Sequence, residues 1–469
     1  MTAFPRISTT KVGSNKDAPR VWLEGRYLLD AGFAPSTRVE IEFSENKAVI
    51  RLAENGPRVV SSKQRQQKQI PVLDINSSAL AKAFGNINTL QVCITEGEIT
   101  LSPSQTESLK RSRCRNGREG SVFAGGGLLT QAAKQAGYVS SFAIEVDPNY
   151  AEIFESNHPD ALMFNASIED VPLDALPPVE LLTLGIPCEP YSTARQLDRK
   201  TGAKRDRSLP PEAHPLADLS LWSCLVIHKL NPATIVIEEA PAYLTSGAGF
   251  LMQSFLKRCG YTVEARVIDP RQYGEITGRI RSVIVAHSGS NFRWPEPVTT
   301  TRTFGEIRDD ESALEDKYFT PETKSWLTNH WSNQAAKGNG FTSAQLDDQS
   351  TSVPCISKRY MAGQGTGAVV KHRERNQTWR WLTLNEIRKL HSVPESYYLG
   401  EDQSVTRAGE VIGQGVIVSF FEKIIAATRQ LGTAIANPID DVTQVPLNNA
   451  YIQQHTEAPD ADQLGLAFA

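Results

Sequence analysis

The chain has 469 residues, 40% of them hydrophobic and 22% charged, with a net charge of −4 and a pI near 6.1. Such a chain can bury a sizeable core over several domains; it is not an unstructured basic nucleic-acid coat, although a local basic cleft is compatible with it. The cysteines at 93, 114, 188, 224, 259 and 355 include no C-x-x-C pair and no His at ligand spacing, so a reducing cytoplasm is expected, with neither a disulfide framework nor a metal site.

Residues 1–18 read as a loose polar start without the apolar core of a signal peptide, and no apolar run reads as a membrane span. Residues 19–104 read as two β-rich units. The first has strands at Arg20–Leu23, Val39–Phe43 and Ala48–Leu52. The second has strands at Ile70–Leu73, Leu90–Ile94 and Ile99–Leu101, with a short helix at Ser77–Phe84. The units look like a degenerate repeat. The string from Gly25 to Phe33, followed by a hairpin, resembles AbrB/SymE-like swapped-hairpin domains, which implies either DNA contact or a dimerising role. Residues 105–119 form a basic linker holding Lys110, Arg111, Arg113, Arg115 and Arg118, either a solvated hinge or a phosphate contact.

From residue 120 to 287, short apolar strands (Val122-Phe123, Phe142–Val146, Leu181–Leu184, Ile235–Ile237, Val283–Ala286) alternate with helices. This is the rhythm of an α/β doubly wound, Rossmann-like sheet. Residues 288–375 break it, helical text returns at Thr383–Leu390 and Val416–Gln430, and residues 436–469 are expected to be a disordered tail.

Five segments carry chemistry. After the first of these strands, Phe123-Ala124-Gly125-Gly126-Gly127-Leu128 is a glycine turn opening a helix, and Glu145-Val146-Asp147 puts an acid at the end of the second. Together they suit a nucleoside-type cofactor, since the glycines admit a ligand to the backbone and the acid can take a ribose hydroxyl pair. In Gly185-Ile186-Pro187-Cys188 a strand runs into a cysteine at the carboxyl edge of the sheet, where ligands bind. Glu238-Glu239 ends the next strand. Arg279 and Arg281, two residues apart, would point the same way as a phosphate or carboxylate clamp.

The order of these segments resembles the DNA cytosine-5 methyltransferase family from about Gly120 to Gln430. The matching segments are FAGGGL, EVDP, PCEPYS, IEEAP and GRIR, then the stretch from Trp381 through Glu386 and Leu390 to Pro394, and finally Gly413-Gln414-Gly415-Val416. The resemblance implies S-adenosylmethionine as methyl donor and double-stranded DNA as substrate. Cys188 would attack C6 of a flipped cytosine, Glu238 would hold the base, and Arg279 and Arg281 would complete the catalytic set. Cofactor contacts would come from Phe123, Gly125, Gly127, Leu128, Glu145, Val146, Ser167, Ile168, Pro187, Gln414 and Val416. Residues 288–375 would be the target-recognition segment, and 120–287 with 376–435 the catalytic domain.

Six positions depart from the family pattern. Glu189 stands for a glutamine, Glu239-Ala240 for Asn-Val, Thr277 for a glutamine, Gln414 for an asparagine and Ser167 for an aspartate. These departures leave open transfer of a group other than methyl. An idle DNA-binding regulator and an RNA cytosine-5 methyltransferase are the other readings. At the end of the chain, Gln463–Phe468 (QLGLAF) resembles peptides that dock in the bacterial sliding clamp.

Overall fold

The computed structural model describes residues 6–15, 18–65, 68–192, 210–289, 292–299, 302–336 and 343–429. The expected tail and the clamp-like peptide lie outside them.

The N-terminal strands pair with an internal twofold relation. Strand Ala18–Glu24 runs antiparallel to Lys68–Asn76, with Trp22 opposite Asp74 and Leu23 opposite Leu73. Hairpin strands Lys47–Leu52 and Glu98–Pro103 also run antiparallel, with Val49 opposite Thr100 and the pairs Ile50–Ile99 and Ala48–Leu101 on either side. The two sequence repeats therefore complete one another within a single chain. Alternating Val21, Leu23, Leu73, Ile75, Val92, Ile94 and Ile99 face one shared core. Residues 6–15, expected to be loose, form strands Arg6–Lys11 and Gly13–Asn15. The first pairs along its length with Thr89–Thr95, whose edge is otherwise open.

The linker is a docked element and not a solvated hinge. Gln105–Arg111 is helical, capped by Ser104. Arg113 lies 3.5 Å from the centroid of the Tyr261 ring and donates to the Cys259 carbonyl at 2.7 Å. Asn231 donates to the Leu109 carbonyl at 2.7 Å. These contacts use Arg113 for packing, since burying a guanidinium on an aromatic face offsets its desolvation.

The catalytic domain is built on a seven-stranded sheet. Counting from its first strand, these are β1 (Arg118–Val122), β2 (Val139–Ile144), β3 (Leu162–Phe164), β4 (Leu181–Gly185), β5 (Thr234–Glu239), β6 (Thr262–Ile268) and β7 (Arg281–His287). Their order is β3-β2-β1-β4-β5-β7-β6, parallel except for β7, which runs antiparallel to both β5 and β6. Central strands are apolar on both faces, as a sheet covered by helices on both sides requires. Leu181, Val236, Val283 and Val285 pack on one face, while Leu182, Leu184, Ile235, Ile237 and Ile284 pack on the other. The first face is covered by α1 (Leu128–Gln135), α2 (Pro148–Asn157) and two C-terminal helices; the second by α3 (Leu219–Leu230) and α4 (Gly247–Arg258). Strands β3 and β6 were not anticipated.

Between β7 and the last helices, α5 (Ser325–Ala336) packs Leu327 and Trp331 against Phe319, Val369 and Trp379 in a small separate core. This unit is tied to the catalytic domain through α6 (Leu384–Leu390), where Glu386 forms a fully buried two-pronged pair with Arg380 at 2.7 and 2.8 Å. The helical stretch Val405–Arg429 is long and apolar enough, by composition alone, to cross a membrane, contrary to the sequence expectation. Here it breaks at Gly415 into α7 (Val405–Gln414) and α8 (Val418–Arg429), whose apolar residues face the sheet core.

Candidate active site

The carboxyl ends of β1 and β2 form a cradle. Phe123 adopts a left-handed φ of 56°, and Gly125 and Gly127 follow at 54° and 84°. A Cβ on Gly125 would meet nothing within 4 Å, so that part of the turn faces open space. A Cβ on Gly127 would lie 2.7 Å from Tyr397 Oη, 2.9 Å from Phe154 and 3.1 Å from His158. Tyr397 donates to the Gly126 carbonyl at 2.6 Å, and its hydroxyl lies 3.2 Å from His158 Nε2. Burial, then Lys134, lowers the His158 pKa to about 4, so the ring stays neutral at physiological pH. Neither Tyr397 nor His158 was anticipated; a single tyrosine outside the matched segments carries no local signal.

Glu145 closes the cradle. One carboxylate oxygen accepts from Gly125 N–H at 2.7 Å and the other from Asp147 N–H at 2.9 Å. Next to it Val146 is 64% exposed, an apolar side chain held out at the rim. Asp147 then caps α2, with Pro148 in its first turn. Gln414, at the end of α7, donates to the Tyr150 hydroxyl and accepts from Lys358 at 3.2 Å. Ser167 opens a short 3-10 turn above β3. Leu128, Ile168 and Val416, expected as cofactor contacts, are buried in the hydrophobic cores. A half-buried glycine turn, an acid with both oxygens oriented and an exposed apolar rim fit the ribose and adenine of a nucleoside cofactor.

The second half of the site lies at the ends of β4 and β5. Gly185 pairs with Glu238 in register, and the chain continues through half-buried Pro187 to Cys188. The carbonyl of Cys188 accepts from Tyr191 N–H at 3.0 Å and Ser192 N–H at 2.8 Å, fixing a tight turn. Cys188 is exposed at the mouth of the site. Even so, the protein packed about the thiol pushes its pKa up to about 12, with Glu239, Glu189 and Glu238 adding to the effect of burial and Arg281 opposing it.

Glu238 forms a 2.6 Å ion pair with Arg281 Nε. Glu239 is buried. Its Oε2 accepts from Ala240 N–H, while its Oε1 has no partner among the described residues. Burial, more than the neighbouring Glu238, raises its pKa to about 9, so it is protonated at neutral pH. Ser282 Oγ donates to the Glu239 and Ala240 carbonyls at 3.1 and 3.0 Å and pins the end of β5 to β7.

The two arginines do not form one clamp. Arg279 is buried and donates to the carbonyls of Gly413 at 2.9 Å, Gln414 at 3.0 Å and Ile356 at 3.4 Å. It thereby ties the end of α7 to the segment before β7. Only Arg281 engages a carboxylate of the site. The backbone leaves its strand geometry before β7 begins at residue 281, so period-two alternation does not apply at 279.

A sequence profile of C-5 cytosine-specific DNA methylases matches residues 118–430. The chain is 24% identical over 318 residues to the Type II methyltransferase M.DsaV of Dactylococcopsis salina, covering 65% of this chain and 85% of that one. It is 23% identical over 317 residues to M.NlaX of Neisseria lactamica, covering 65% and 95%. Among solved structures, a variant of Spodoptera frugiperda DNMT2 aligns with a TM-score of 0.52 at 17% identity, over 67% of this chain and 99% of that one. The fold, the order of the site segments and the profile agree: the chain belongs to the C-5 cytosine-specific DNA methylase family.

Proposed function

We propose that this DNA cytosine-5 methyltransferase acts through covalent attack by Cys188 on a cytosine flipped out of duplex DNA. The observation that carries the reading is the convergence of Cys188, Glu238 and Arg281 at one sheet edge, beside the Gly125–Glu145 cradle. S-adenosylmethionine, held by the glycine turn, Glu145 and Val146, supplies the methyl group when bound.

The Cys188 sulfur bonds to C6 as its proton passes, directly or through water, to N3. Glu238, oriented by Arg281, accepts from the exocyclic amine and from N3 as N3 gains a proton, drawing electron density onto C5. C5 then takes the methyl group. Loss of the C5 proton to water re-forms the C5–C6 double bond and breaks the S–C6 bond, and the N3 proton returns to the Cys188 sulfur. Flipping the base costs a few kcal/mol, repaid by contacts in the site.

Residues 288–375 are assigned the reading of bases in the major groove. The N-terminal module is assigned AbrB/SymE-like character; its internal pairing supplies what a second copy would otherwise supply, and sedimentation of the full chain would measure whether it still dimerises. Clamp docking by Gln463–Phe468 predicts that truncation after Pro459 abolishes clamp pull-down. A bacterial or phage-infected cytoplasm, within a restriction-modification setting, is the compartment proposed.

The test is mass spectrometry of nucleosides from treated duplex DNA, with transfer RNA in parallel, and trapping on DNA containing 5-fluorocytosine. The expected results are 5-methylcytosine in DNA and a covalent complex that Cys188→Ser abolishes. The carboxylates added at 189 and 239 favour one second reading, a bulkier group from a modified donor, which the same spectra would register as a heavier cytosine. Absence of any modified cytosine in DNA overturns both.

A further inference from the structure

Four buried polar side chains close to the turn that carries Cys188 take no part in the steps above: Glu239, Tyr191, Tyr243 and Ser220. Along β5, Ile235 and Ile237 pack on the α3–α4 face of the sheet. Side chains alternate along a strand, so Glu239 points to that face and Glu238 to the other. The same core holds Tyr191, Tyr243 and Ala240. Tyr191 belongs to the Cys188 turn and donates its N–H to the Cys188 carbonyl at 3.0 Å. Its ring meets that of Tyr243 edge-on, with centroids 4.9 Å apart. Tyr243 comes from the 3-10 turn Pro241–Thr245 that follows β5, and its hydroxyl lies 3.3 Å from Ser220 Oγ on α3.

Two of these groups are incomplete. Glu239 Oε1 and Tyr191 Oη are buried without a hydrogen-bond partner among the described residues, in residues only 1% and 3% exposed. Buried polar atoms are nearly always partnered, because an unmade bond costs the full desolvation of the group. A protonated carboxyl and a phenol can each donate and accept, and a buried water needs about two to four such partners. Burial keeps Glu239 protonated at neutral pH. Burial, with Glu239 among the charges that add to it, also keeps both phenols un-ionised. Ser220 is near enough to Tyr191 to oppose that effect, although Tyr191 Oη completes no bond to it. The charged groups facing Glu239 are Glu238 on its own strand, Arg281 on β7 and Glu189 in the Cys188 turn. After burial, the Cys188 thiol is held up more by Glu239 than by either other carboxylate.

We propose that Glu239, as the neutral acid, is a positioning residue for the nucleophile: its Oε1–H and the Tyr191 hydroxyl share one buried water, and that bridge seats the Cys188 turn on the end of β5. A seated turn keeps the sulfur within reach of C6 of the base that Glu238 holds, and a misplacement of about 1 Å costs on the order of 100-fold in such a step. Ionised Glu239 loses the donor and sets its charge against Glu238 and Glu189, with Arg281 alone opposing them. The bridge therefore works only while the carboxyl keeps its proton. The inference rests on Cys188 being the nucleophile.

The test is the single-turnover rate of covalent trapping on duplex DNA containing 5-fluorocytosine, at saturating DNA and S-adenosylmethionine, beside the duplex Kd. It uses the full chain and its Y191F, E239L, E239Q and Y191F/E239L variants at neutral pH. Y191F and E239L should each trap about five- to tenfold more slowly, the scale of one hydrogen bond, with the loss in rate and not in Kd. The double variant should be no slower than the slower single one, because both changes remove the same bridge. E239Q keeps a donor and should recover most of the rate lost in E239L. Y191F deletes an atom that otherwise bonds nothing, so Y191F trapping at the wild-type rate overturns the proposal. Losses that multiply in the double variant, or that appear in Kd instead of rate, overturn it too. A wild-type protein that forms no covalent complex overturns the functional reading itself, an outcome distinct from a bridge that makes no contribution.

Discussion

Arg281 holds Glu238 at 2.6 Å where β5 meets β7, with the two side chains only 18% and 10% exposed. Two residues away, Arg279 donates to the carbonyls of Gly413 and Gln414. The same residue type therefore does two jobs on either side of Ile280. Arg281→Ala leaves the Glu238 carboxylate without its orienting partner, and kcat should fall on the order of 100-fold, the scale of a misplaced catalytic group. Arg279→Ala leaves buried carbonyls unpaired and should destabilise the fold by on the order of 2–3 kcal/mol. Thermal melting beside single-turnover rates separates the two: R281A should keep most of its Tm, while R279A should lose Tm first.

The free thiol of Cys188, pushed up to about 12, is almost entirely protonated at neutral pH. Attack needs the thiolate, so kcat/KM, which reports the free enzyme, should climb about tenfold per pH unit on the neutral-to-alkaline side. Near pH 9 Glu239 ionises, and the charge it then carries is among the causes that hold the thiol pKa up. The wild-type profile should therefore bend over near pH 9, whereas Glu239→Gln should continue to climb. A profile flat from pH 6 to 8 would show that a thiolate is already present.

Tyr397 and Gly127 make the cofactor cradle sensitive to small changes. Tyr397→Phe removes the hydrogen bond to the Gly126 carbonyl, worth about 1 kcal/mol. S-adenosylmethionine affinity, measured by calorimetry, should weaken about fivefold. Gly127→Ala adds a Cβ at a φ of 84°, 2.7 Å from Tyr397 Oη, and should abolish measurable cofactor binding. Adding Tyr397→Phe to it should not restore binding, because Phe154 and His158 also crowd the added atom.

Glu119, on β1, is a buried carboxyl that accepts from Thr183 at 2.6 Å, Thr130 at 3.2 Å and Ser140 at 3.3 Å. Burial outweighs those donors and raises its pKa to about 7. An acid whose pKa is raised on folding stabilises fully below its unfolded value of 4.5 and loses that contribution as pH climbs to about 7. The difference is on the order of 3 kcal/mol. Glu119→Gln should remove this decline, so its Tm at pH 8 relative to pH 5 should fall less than that of the wild type. Identical pH dependence in the two proteins would refute a raised Glu119.

The alternation of apolar strands with helices, the glycine turn after β1, Glu145 and the run into Cys188 were legible because each is a local pattern. Hydrophobic period, turn residues and strand-end position all follow from neighbours in the chain. For the same reason the paired N-terminal repeat was visible as two similar strings. Short β3 and half-exposed β6 were not, since neither carries a strong apolar alternation.

What only tertiary structure decided is which side chains face one another across long separations. Both arginines lie in one short segment, yet burial against the end of α7 turns Arg279 into a clasp, while strand pairing turns Arg281 towards Glu238. Linker cations that looked free for phosphate are spent in part on Tyr261 and backbone carbonyls, and Leu128, Ile168 and Val416 are packed into the hydrophobic cores. Tyr397 reaches the glycine turn from far along the chain. The sequence alone determined the residue types and their order, because hydrophobicity and backbone geometry act between near neighbours. Their partners were decided by packing, because the cost of burying a charge or a polar atom depends on what the fold brings beside it.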